Sequence, residues 1–357
     1  MNFTLFKRSF FIIVLFFLYG GTSCSAQKKV QIGAYYFDGW TGKYPNHITP
    51  SLVENYKDRE PKWGWKTSTQ EFVDQQILLA ADAGLDFFNF CWYYHGASLY
   101  KTEALNQALR FYKNSSNKRK LRYCLTVVNH QGSEIGPKDW PVLTGEWIEQ
   151  FKDPAYQKVD GKPYLAFYDL RSLINHFGSI ENLKKAVDSL KQEVKKAGLP
   201  GVNLAAMAGP NDFSVLESCG FDVGTLYNGH PLGFQQGMVK TPIEFLQKAE
   251  LNFWNQMPAN HSVKFIPVCT LGWDPRPWAN EANGYDHTPY YTGYSIKSIE
   301  KSVRTAISWV NRNRSKTTQD KIVMLYAWNE NGEGAWLTPG KSGFNPLKGV
   351  QKAAKYK

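Results

Sequence analysis

The sequence contains little cysteine, 5 residues in 357, and none of them stands in CxxC or zinc-ligand spacing. This scarcity argues against a thioredoxin-like motif or a structural zinc site. Cys91, Cys124 and Cys269 lie inside apolar, strand-like runs. We therefore expect these three, with Cys219, to be buried free thiols, although an exported protein would also permit a disulfide.

Several ligand-binding patterns are missing as well. No glycine-rich fingerprint follows the first apolar run, and no arginine cluster replaces it, which argues against a phosphate substrate. Three histidines that follow apolar runs, His95, His130 and His230, lack HxH or HExxH spacing. We interpret them as hydrogen-bonding residues and expect neither a metal nor another cofactor. The net charge of +11 comes from scattered lysines without a nucleic-acid motif, so we expect no nucleic-acid partner.

Long apolar runs are absent except near the N-terminus. Lys7 and Arg8 precede an apolar run at 9–19, and small residues then lead to Cys24 and Ala26. This pattern is typical of a secretory signal, here residues 1–26, and the run is too short for a transmembrane helix. Cleavage after Ala26 would release a soluble protein, whereas cleavage before Cys24 would leave a lipid anchor, the one membrane attachment we expect. Both predict export to the periplasm or to the outer-membrane surface.

The remaining chain, 27–357, alternates strand-like and helix-like segments without linker composition. Apolar runs at 30–36, 85–92, 121–128, 163–168, 202–207, 221–227, 263–270 and 322–328 are separated by segments with helical periodicity. Eight such repeats predict an α/β fold of one domain, a (β/α)8 TIM barrel. A doubly wound open sheet is the alternative, and the missing glycine fingerprint argues against it.

The segments that follow these runs carry aromatic, amide and acidic residues. In a parallel barrel the carboxyl ends of the strands form one face, where the chemistry takes place. Aromatic faces stack on sugar rings, and carboxylates and amides bond hydroxyls, so this set suits a carbohydrate. The expected substrate-binding residues are Tyr36, Asp38, Trp40, Trp92, Tyr94, His95, Asn129, His130, Tyr227, Asn228, His230, Trp273, Asp274, Arg276, Trp328 and Asn329.

The last apolar run leads directly into two carboxylates. Residues 321–339 read KIVMLYAWNENGEGAWLTP, and Glu330 and Glu333 stand three residues apart where the strand becomes a glycine-rich loop. A carboxylate beside an apolar core is costly unless it is paired, hydrogen-bonded or used. We expect these two to be the catalytic pair of a glycosidase.

Residues 326–339, YAWNENGEGAWLTP, resemble the WNEW-x-E-G signature of glycoside hydrolase family 99, the endo-α-mannosidases and endo-mannanases. They also resemble WbsX-type proteins, which are often called glycosyltransferases. The other matching blocks are GAYYFDGW at 33–40, DQQILLAADAGLDFFNFCWYY at 74–94, DPAYQKVDGKPYLAFYD at 153–169 and GWDPRPW at 272–278. The chain departs from the signature at Asn331, where the family usually has Trp, and at Thr338, where an acidic residue is common.

The resemblance implies a (β/α)8 barrel, an α-mannoside-like substrate and a retaining mechanism. It implies that Glu333 protonates the leaving oxygen and that Glu330 helps the 2-hydroxyl of the sugar attack C1, through a 1,2-anhydro intermediate. These roles would require a raised pKa for Glu333 and a lowered pKa for Glu330. A glycosyltransferase of surface-polysaccharide assembly and a non-catalytic carbohydrate-binding barrel remain as alternatives. We expect a monomer whose partner is an oligo- or polysaccharide.

Overall fold

The computed structural model describes residues 28–97, 100–280 and 282–357. The predicted signal at 1–26, with Cys24, lies outside the described residues. In the described part, no helix is long and apolar enough to cross a membrane. The four cysteines at 91, 124, 219 and 269 are buried free thiols, as expected.

A parallel sheet forms the centre of the molecule. Its strands are β1 Gln31–Tyr36, β2 Phe87–Tyr93, β3 Arg122–Val128, β4 Lys162–Phe167, β5 Asn203–Met207, β6 Val223–Thr225, β7 in two pieces (Lys264–Phe265 and Val268–Thr270) and β8 Ile322–Tyr326. They follow the order β8-β1-β2-β3-β4-β5-β6-β7. The first piece of β7 pairs with β6 and the second pairs with β8, so this strand closes the sheet into a barrel. The predicted (β/α)8 barrel of one domain is confirmed.

Helices surround the barrel and cover its apolar outer face. They are α1 Pro50–Asn55, α2 Gln70–Asp82, α3 Gln107–Asn114, α4 Trp140–Phe151, α5 Leu170–Phe177, α6 Ile180–Lys196, α7 Phe213–Ser218, α8 Ile243–Asn255, α9 Ile296–Arg312 and α10 Leu347–Ala354. In α6, Leu183, Val187, Leu190 and Val194 are buried at helical spacing. Side chains of this kind and the strand residues behind them form one continuous core.

Three helices were not expected from the sequence. They are α1, which lies between β1 and α2 where no helical periodicity was noted, and the short helices α5 and α10. Helix α5 has only eight residues, but Leu170, Leu173 and Phe177 are buried on one face and Asp169 caps its first turn. Short helices of this kind carry too few turns for their periodicity to stand out from a loop.

Candidate active site

The loop after β8 positions the two glutamates. Residues Asn329–Glu330 pair in antiparallel fashion with Ala335–Trp336, so the segment 331–334 forms a tight connection between them. The backbone N–H of Glu333 donates to the carbonyl of Glu330 at 3.1 Å. Gly334 completes the turn with φ +75°, a conformation that favours glycine. Both carboxyl groups are therefore held by a compact turn at the mouth of the barrel.

Glu330 and Glu333 line a common cavity of about 180 Å³. Its other walls come from the carboxyl ends of β2, β3 and β6 and from the loops after β1, β4 and β7. The remaining lining residues are Phe37, His47, Cys91, Tyr93, Val128, His130, Tyr168, Tyr227 and Trp278. The cavity is therefore a small aromatic chamber with two carboxyl groups, which is the composition expected for a site that holds a sugar ring.

Glu330 is almost wholly buried, with 3% of its surface exposed. Its Oε1 accepts a hydrogen bond from the phenol of Tyr227, and its Oε2 has no partner among the described residues. Burial raises the pKa of Glu330 to about 7, and the Tyr227 hydrogen bond opposes that rise. Near neutral pH this carboxyl group can therefore both hold and release a proton.

Glu333 is half-buried and lines the cavity. It accepts a hydrogen bond from the phenol of Tyr326, at the end of β8. Desolvation raises the pKa of Glu333 to about 8, so the protonated acid predominates at neutral pH. A carboxyl group in this state can donate a proton to a leaving oxygen.

The pKa of Glu333 is raised as expected, but the pKa of Glu330 does not shift in the expected direction. A lowered value was expected for Glu330, because a base must be ionised. The structure instead gives a raised value for both residues, about 7 for Glu330 and about 8 for Glu333. The expectation for Glu330 is wrong because the cavity removes water from this carboxyl group and supplies a single hydrogen bond in return.

An ion-pair network behind the turn supports the two glutamates. The buried guanidinium of Arg59 bonds the carboxylate of Asp274 and donates to the carbonyl of Asn331 at 3.3 Å. The side chain of Asn331 donates in return to the carbonyl of Arg59 at 2.7 Å. Arg276 forms a second ion pair with Asp274, at 2.7 Å. Asn331, where the chain departs from the family signature, therefore anchors the turn to the segment that contains Arg59.

The cavity contains only four of the residues singled out from the sequence: Glu330, Glu333, His130 and Tyr227. Side chains alternate between the two faces of a strand, and this alternation decides which residues point inward. On β2, Cys91 and Tyr93 line the cavity, whereas Trp92 points outward against Trp147 of α4. Many of the predicted substrate-binding residues therefore lie near a strand end but on the face that points away from the cavity or outside it.

Among the other predicted binding residues, several are used within the fold. Tyr36 packs on Phe88 and Phe90, and the indole N–H of Trp328 donates to Gln76. Because both side chains are buried in the helix layer, neither offers surface to a substrate. Hydrogen bonds to backbone or to neighbouring loops likewise occupy Asp38, Trp40, Asn129 and Asn329.

The remaining predicted residues lie at the same end of the barrel but outside the cavity. Tyr94 bonds Asp139, and His95 bonds Glu103 and Ser133. Asn228 bonds His230, which stacks on Trp273 with ring centres 3.7 Å apart. Asp274 and Arg276 belong to the ion-pair network described above.

Seven lining residues were missed by the sequence interpretation: Phe37, His47, Cys91, Tyr93, Val128, Tyr168 and Trp278. Because side chains alternate between the two faces of a strand, the positions of Cys91, Tyr93 and Val128 in β2 and β3 could have identified them as inward-facing. No local pattern marks His47 and Trp278, which come from distant loops. They contact each other at 5.5 Å between ring centres, and the indole N–H of Trp278 donates to the carbonyl of His47.

No group of three or more His, Cys, Asp or Glu side chains suited to a metal ion occurs within 28–97, 100–280 and 282–357. The three histidines considered in the sequence each have other hydrogen-bond partners: His95 bonds Glu103, His130 bonds the carbonyl of Gln131, and His230 bonds Asn228.

Comparison with known families accords with this geometry. The family model "Glycosyltransferase WbsX" matches residues 42–346, most of the chain and including the turn with both glutamates. The chain belongs to the WbsX family. The expected resemblance to WbsX-type proteins is thereby confirmed. No curated protein gives a significant match to this WbsX chain.

Solved structures show the same architecture. A "glycoside hydrolase-like protein" is 15% identical to this WbsX chain with a TM-score of 0.64, covering 91% of this chain and 94% of its own. The family 99 endo-α-mannosidase of Bacteroides thetaiotaomicron is 15% identical with a TM-score of 0.62, covering 91% and 96%. A family 5 glycoside hydrolase of Prevotella bryantii, in complex with a xyloglucan oligosaccharide, is 12% identical with a TM-score of 0.50, covering 90% and 95%. At these identities the likeness establishes a shared fold.

Proposed function

We propose that this WbsX-family chain is a glycoside hydrolase, with Glu333 as general acid/base and Glu330 as the base that activates the nucleophile. The observation that carries the proposal is that both carboxyl groups line one aromatic cavity, each bonded by one phenol. Desolvation favours the protonated form of Glu333, as a proton donor requires, whereas the Tyr227 hydrogen bond favours the ionised form of Glu330, as a base requires.

The shape of the cavity supports a substrate bound by a single ring at the reacting centre. Its volume of about 180 Å³ is smaller than the roughly 300 Å³ at which pockets for drug-sized ligands begin. The rings of Tyr93, Tyr168 and Trp278 stand in its walls and can stack on the apolar face of a sugar. We infer that the rest of an oligo- or polysaccharide extends outside the chamber.

The resemblance to family 99 supports an α-mannoside-like substrate and a retaining route. In that route Glu330 takes the proton of the 2-hydroxyl as its oxygen bonds to C1, and Glu333 protonates the departing oxygen. Glu333 then accepts a proton from water as the water oxygen bonds to C1 and the C1–O2 bond of the 1,2-anhydro ring breaks, and Glu330 returns its proton to the 2-oxygen. The net reaction consumes one water per glycosidic bond.

A glycan-panel hydrolysis screen with NMR analysis of the products tests this proposal, because it identifies the sugar and the anomeric configuration together. We expect reducing ends released with retained configuration from an α-mannoside-containing glycan. Inversion would exclude the 1,2-anhydro route, and hydrolysis of no glycan by the folded protein would contradict the glycosidase assignment.

Transfer from an activated donor is the second candidate function, because the matching family model is named for a glycosyltransferase. The same protein incubated with nucleotide-sugar donors and an acceptor glycan distinguishes the two activities. Release of the nucleotide coupled to acceptor extension would favour transfer. We expect no such release, because the cavity presents two carboxyl groups and neither lysine nor arginine to a diphosphate. A non-catalytic binding barrel would bind glycans and give no product in either assay.

The N-terminal pattern supports export, with the signal at 1–26 and either a free or a lipid-anchored mature protein. Mass spectrometry of the mature protein from cells tests this proposal. A mature N-terminus at residue 27 would indicate a soluble form, an acylated Cys24 would indicate the anchor, and an intact Met1 would contradict export.

A further inference from the structure

A second cluster of catalytic residue types lies beside the carboxylate cavity. The imidazole of His95 contacts the Oγ of Ser133 through Nε2 at 2.8 Å and a carboxylate oxygen of Glu103 through Nδ1 at 2.6 Å. Because a carboxylate accepts, Nδ1 carries the hydrogen, which leaves Nε2 as the acceptor for the Ser133 hydroxyl. The chain of contacts runs hydroxyl, imidazole, carboxylate, the order found in serine hydrolases.

The surroundings of this cluster fix its geometry. The second oxygen of Glu103 accepts the N–H of Leu105 at 3.1 Å, which holds the carboxylate in place. Ser133 is 4% exposed, whereas the side chain of His95 keeps 31% of its surface exposed. His95 follows β2 and Ser133 follows β3, so both stand at the carboxyl ends of neighbouring strands, the end where barrel chemistry takes place.

Backbone donors already hold an anionic oxygen next to Ser133. The N–H of Gly132, the preceding residue, donates to the Glu134 carboxylate at 3.0 Å. The nearby backbone N–H groups of Glu134 itself and of Gly132 lower the pKa of this carboxylate. Backbone N–H groups beside a serine are the kind of donor that stabilises a tetrahedral oxyanion. Displacement of the half-exposed Glu134 side chain would free them.

We propose that Ser133, His95 and Glu103 form a hydrolytic triad that cleaves O-acyl esters. The Ser133 oxygen bonds to the acyl carbon while its proton passes to Nε2 of His95. The carbon–oxygen bond to the alcohol breaks, and the alcohol leaves with that proton. Water, deprotonated by His95, then attacks the acyl-serine, releasing the carboxylic acid and restoring the hydroxyl. Glu103 is a positioning residue, because it acts through the imidazole.

The position of the triad indicates its substrate class. Tyr93 and His130 line the carboxylate cavity, and Tyr93 lies 6.3 Å from the ring centre of His95 and 6.3 Å from that of His130. An acyl group on a carbohydrate bound at the cavity would therefore come close to Ser133. The choice of an acylated carbohydrate rests on the proposed glycosidase function, whereas hydrolysis of a simple ester does not.

A fluorophosphonate probe tests the triad directly on the wild-type chain, because it labels only serines that an adjacent base activates. We expect a single label, mapped by peptide mass spectrometry to Ser133 and abolished by H95A. S68A is the matched control: Ser68 is buried and bonds the carboxylate of Asp38, and no histidine contacts it in the described part of the chain. A folded wild-type protein without label at Ser133 would overturn the proposal.

Hydrolysis of 4-nitrophenyl acetate gives the second measurement. We expect S133A and H95A to lower kcat/KM about 100-fold or more, and E103Q to lower kcat with KM nearly unchanged. E333Q should retain the esterase activity, which separates this proposal from the glycosidase. Ester hydrolysis unchanged in S133A, or lost in E333Q together with glycosidase activity, would contradict a separate triad.

Discussion

The phenol of Tyr227 donates to the carboxylate of Glu330, and this bond joins the end of the sixth barrel strand to the turn after the eighth. It is the one hydrogen bond to this carboxylate within the described residues, and it opposes the effect of burial on the Glu330 pKa. The proton affinity of the proposed base therefore depends on a residue 103 positions away in the chain.

Tyr227→Phe removes this hydrogen bond and leaves burial unopposed. A hydrogen bond to a charged group contributes about 1.5–3 kcal/mol, so the pKa of Glu330 should rise by about 1–2 units above its value near 7. The acidic limb of the kcat/KM profile should then move to higher pH, with about tenfold less activity at pH 7. Tyr294→Phe, which loses a phenol bonded outside the cavity to the Trp336 carbonyl, is the control. An unmoved acidic limb in Tyr227→Phe would contradict the role of Glu330 as base.

Asp274→Asn tests whether Asp274 supports the fold or binds substrate. The change leaves the buried Arg59 without its carboxylate, and breaking a buried ion pair in this way costs about 3–5 kcal/mol. We expect that loss in urea unfolding, together with reduced activity, because Arg59 also bonds the turn at Asn331. Asp286→Asn, at an exposed pair with His287, should change stability by less than about 0.5 kcal/mol. Unchanged stability with a raised KM would instead indicate a substrate contact.

Gly332→Ala tests the position of Trp278 in the cavity wall. A Cβ at this position would lie 2.1 Å from the Trp278 ring, so the indole must move. We expect KM to rise about tenfold, because the displaced ring no longer stacks on the sugar. Gly145→Ala, in helix α4 where an added Cβ meets nothing within 4 Å, should keep wild-type KM. Equal KM values in the two variants would show that Trp278 does not contact the substrate.

Glu250→Gln should change the pH dependence of stability. Burial raises the pKa of Glu250 to about 8, whereas an unfolded Glu titrates near 4.3. Between these values the folded state binds the additional proton, so this group makes stability fall as pH rises from about 4 to about 8. The variant should therefore have the higher Tm at pH 9, with a difference that shrinks toward pH 5. Glu244→Gln, at an exposed position of the same helix, is the control, and equal slopes in wild type and Glu250→Gln would refute the expectation.

The barrel was predictable because each of its strands is a short apolar run and each repeat carries the same local pattern. The glutamate pair was predictable for a similar reason, since both residues follow the last run within one turn. The pKa values of these two glutamates were not predictable from the sequence. Tyr326 lies in the run itself, and Tyr227 belongs to another repeat, so the contacts that set the two pKa values exist only once the barrel is closed.

The residues of the cavity walls could be predicted from the sequence only in part. Alternation along a strand can separate Tyr93, which faces the cavity, from Trp92, which faces helix α4. Trp278 and His47 reach the cavity from loops that are 231 residues apart, and nothing in either local sequence indicates their meeting. Asn331 illustrates the opposite case, because a residue noted only for departing from the family signature anchors the turn that contains both glutamates.

The most direct test of the central claim compares E333Q and E330Q on two substrates, a natural glycan and an aryl glycoside of the same sugar with a 2,4-dinitrophenol leaving group. We predict that E333Q loses about 100-fold or more on the glycan but stays active on the aryl glycoside, which needs no proton. E330Q should lose activity on both, and both variants should still bind the glycan. E250Q, a buried carboxyl change away from the cavity, should match wild type. Wild-type turnover of the glycan by E333Q and E330Q would contradict the account.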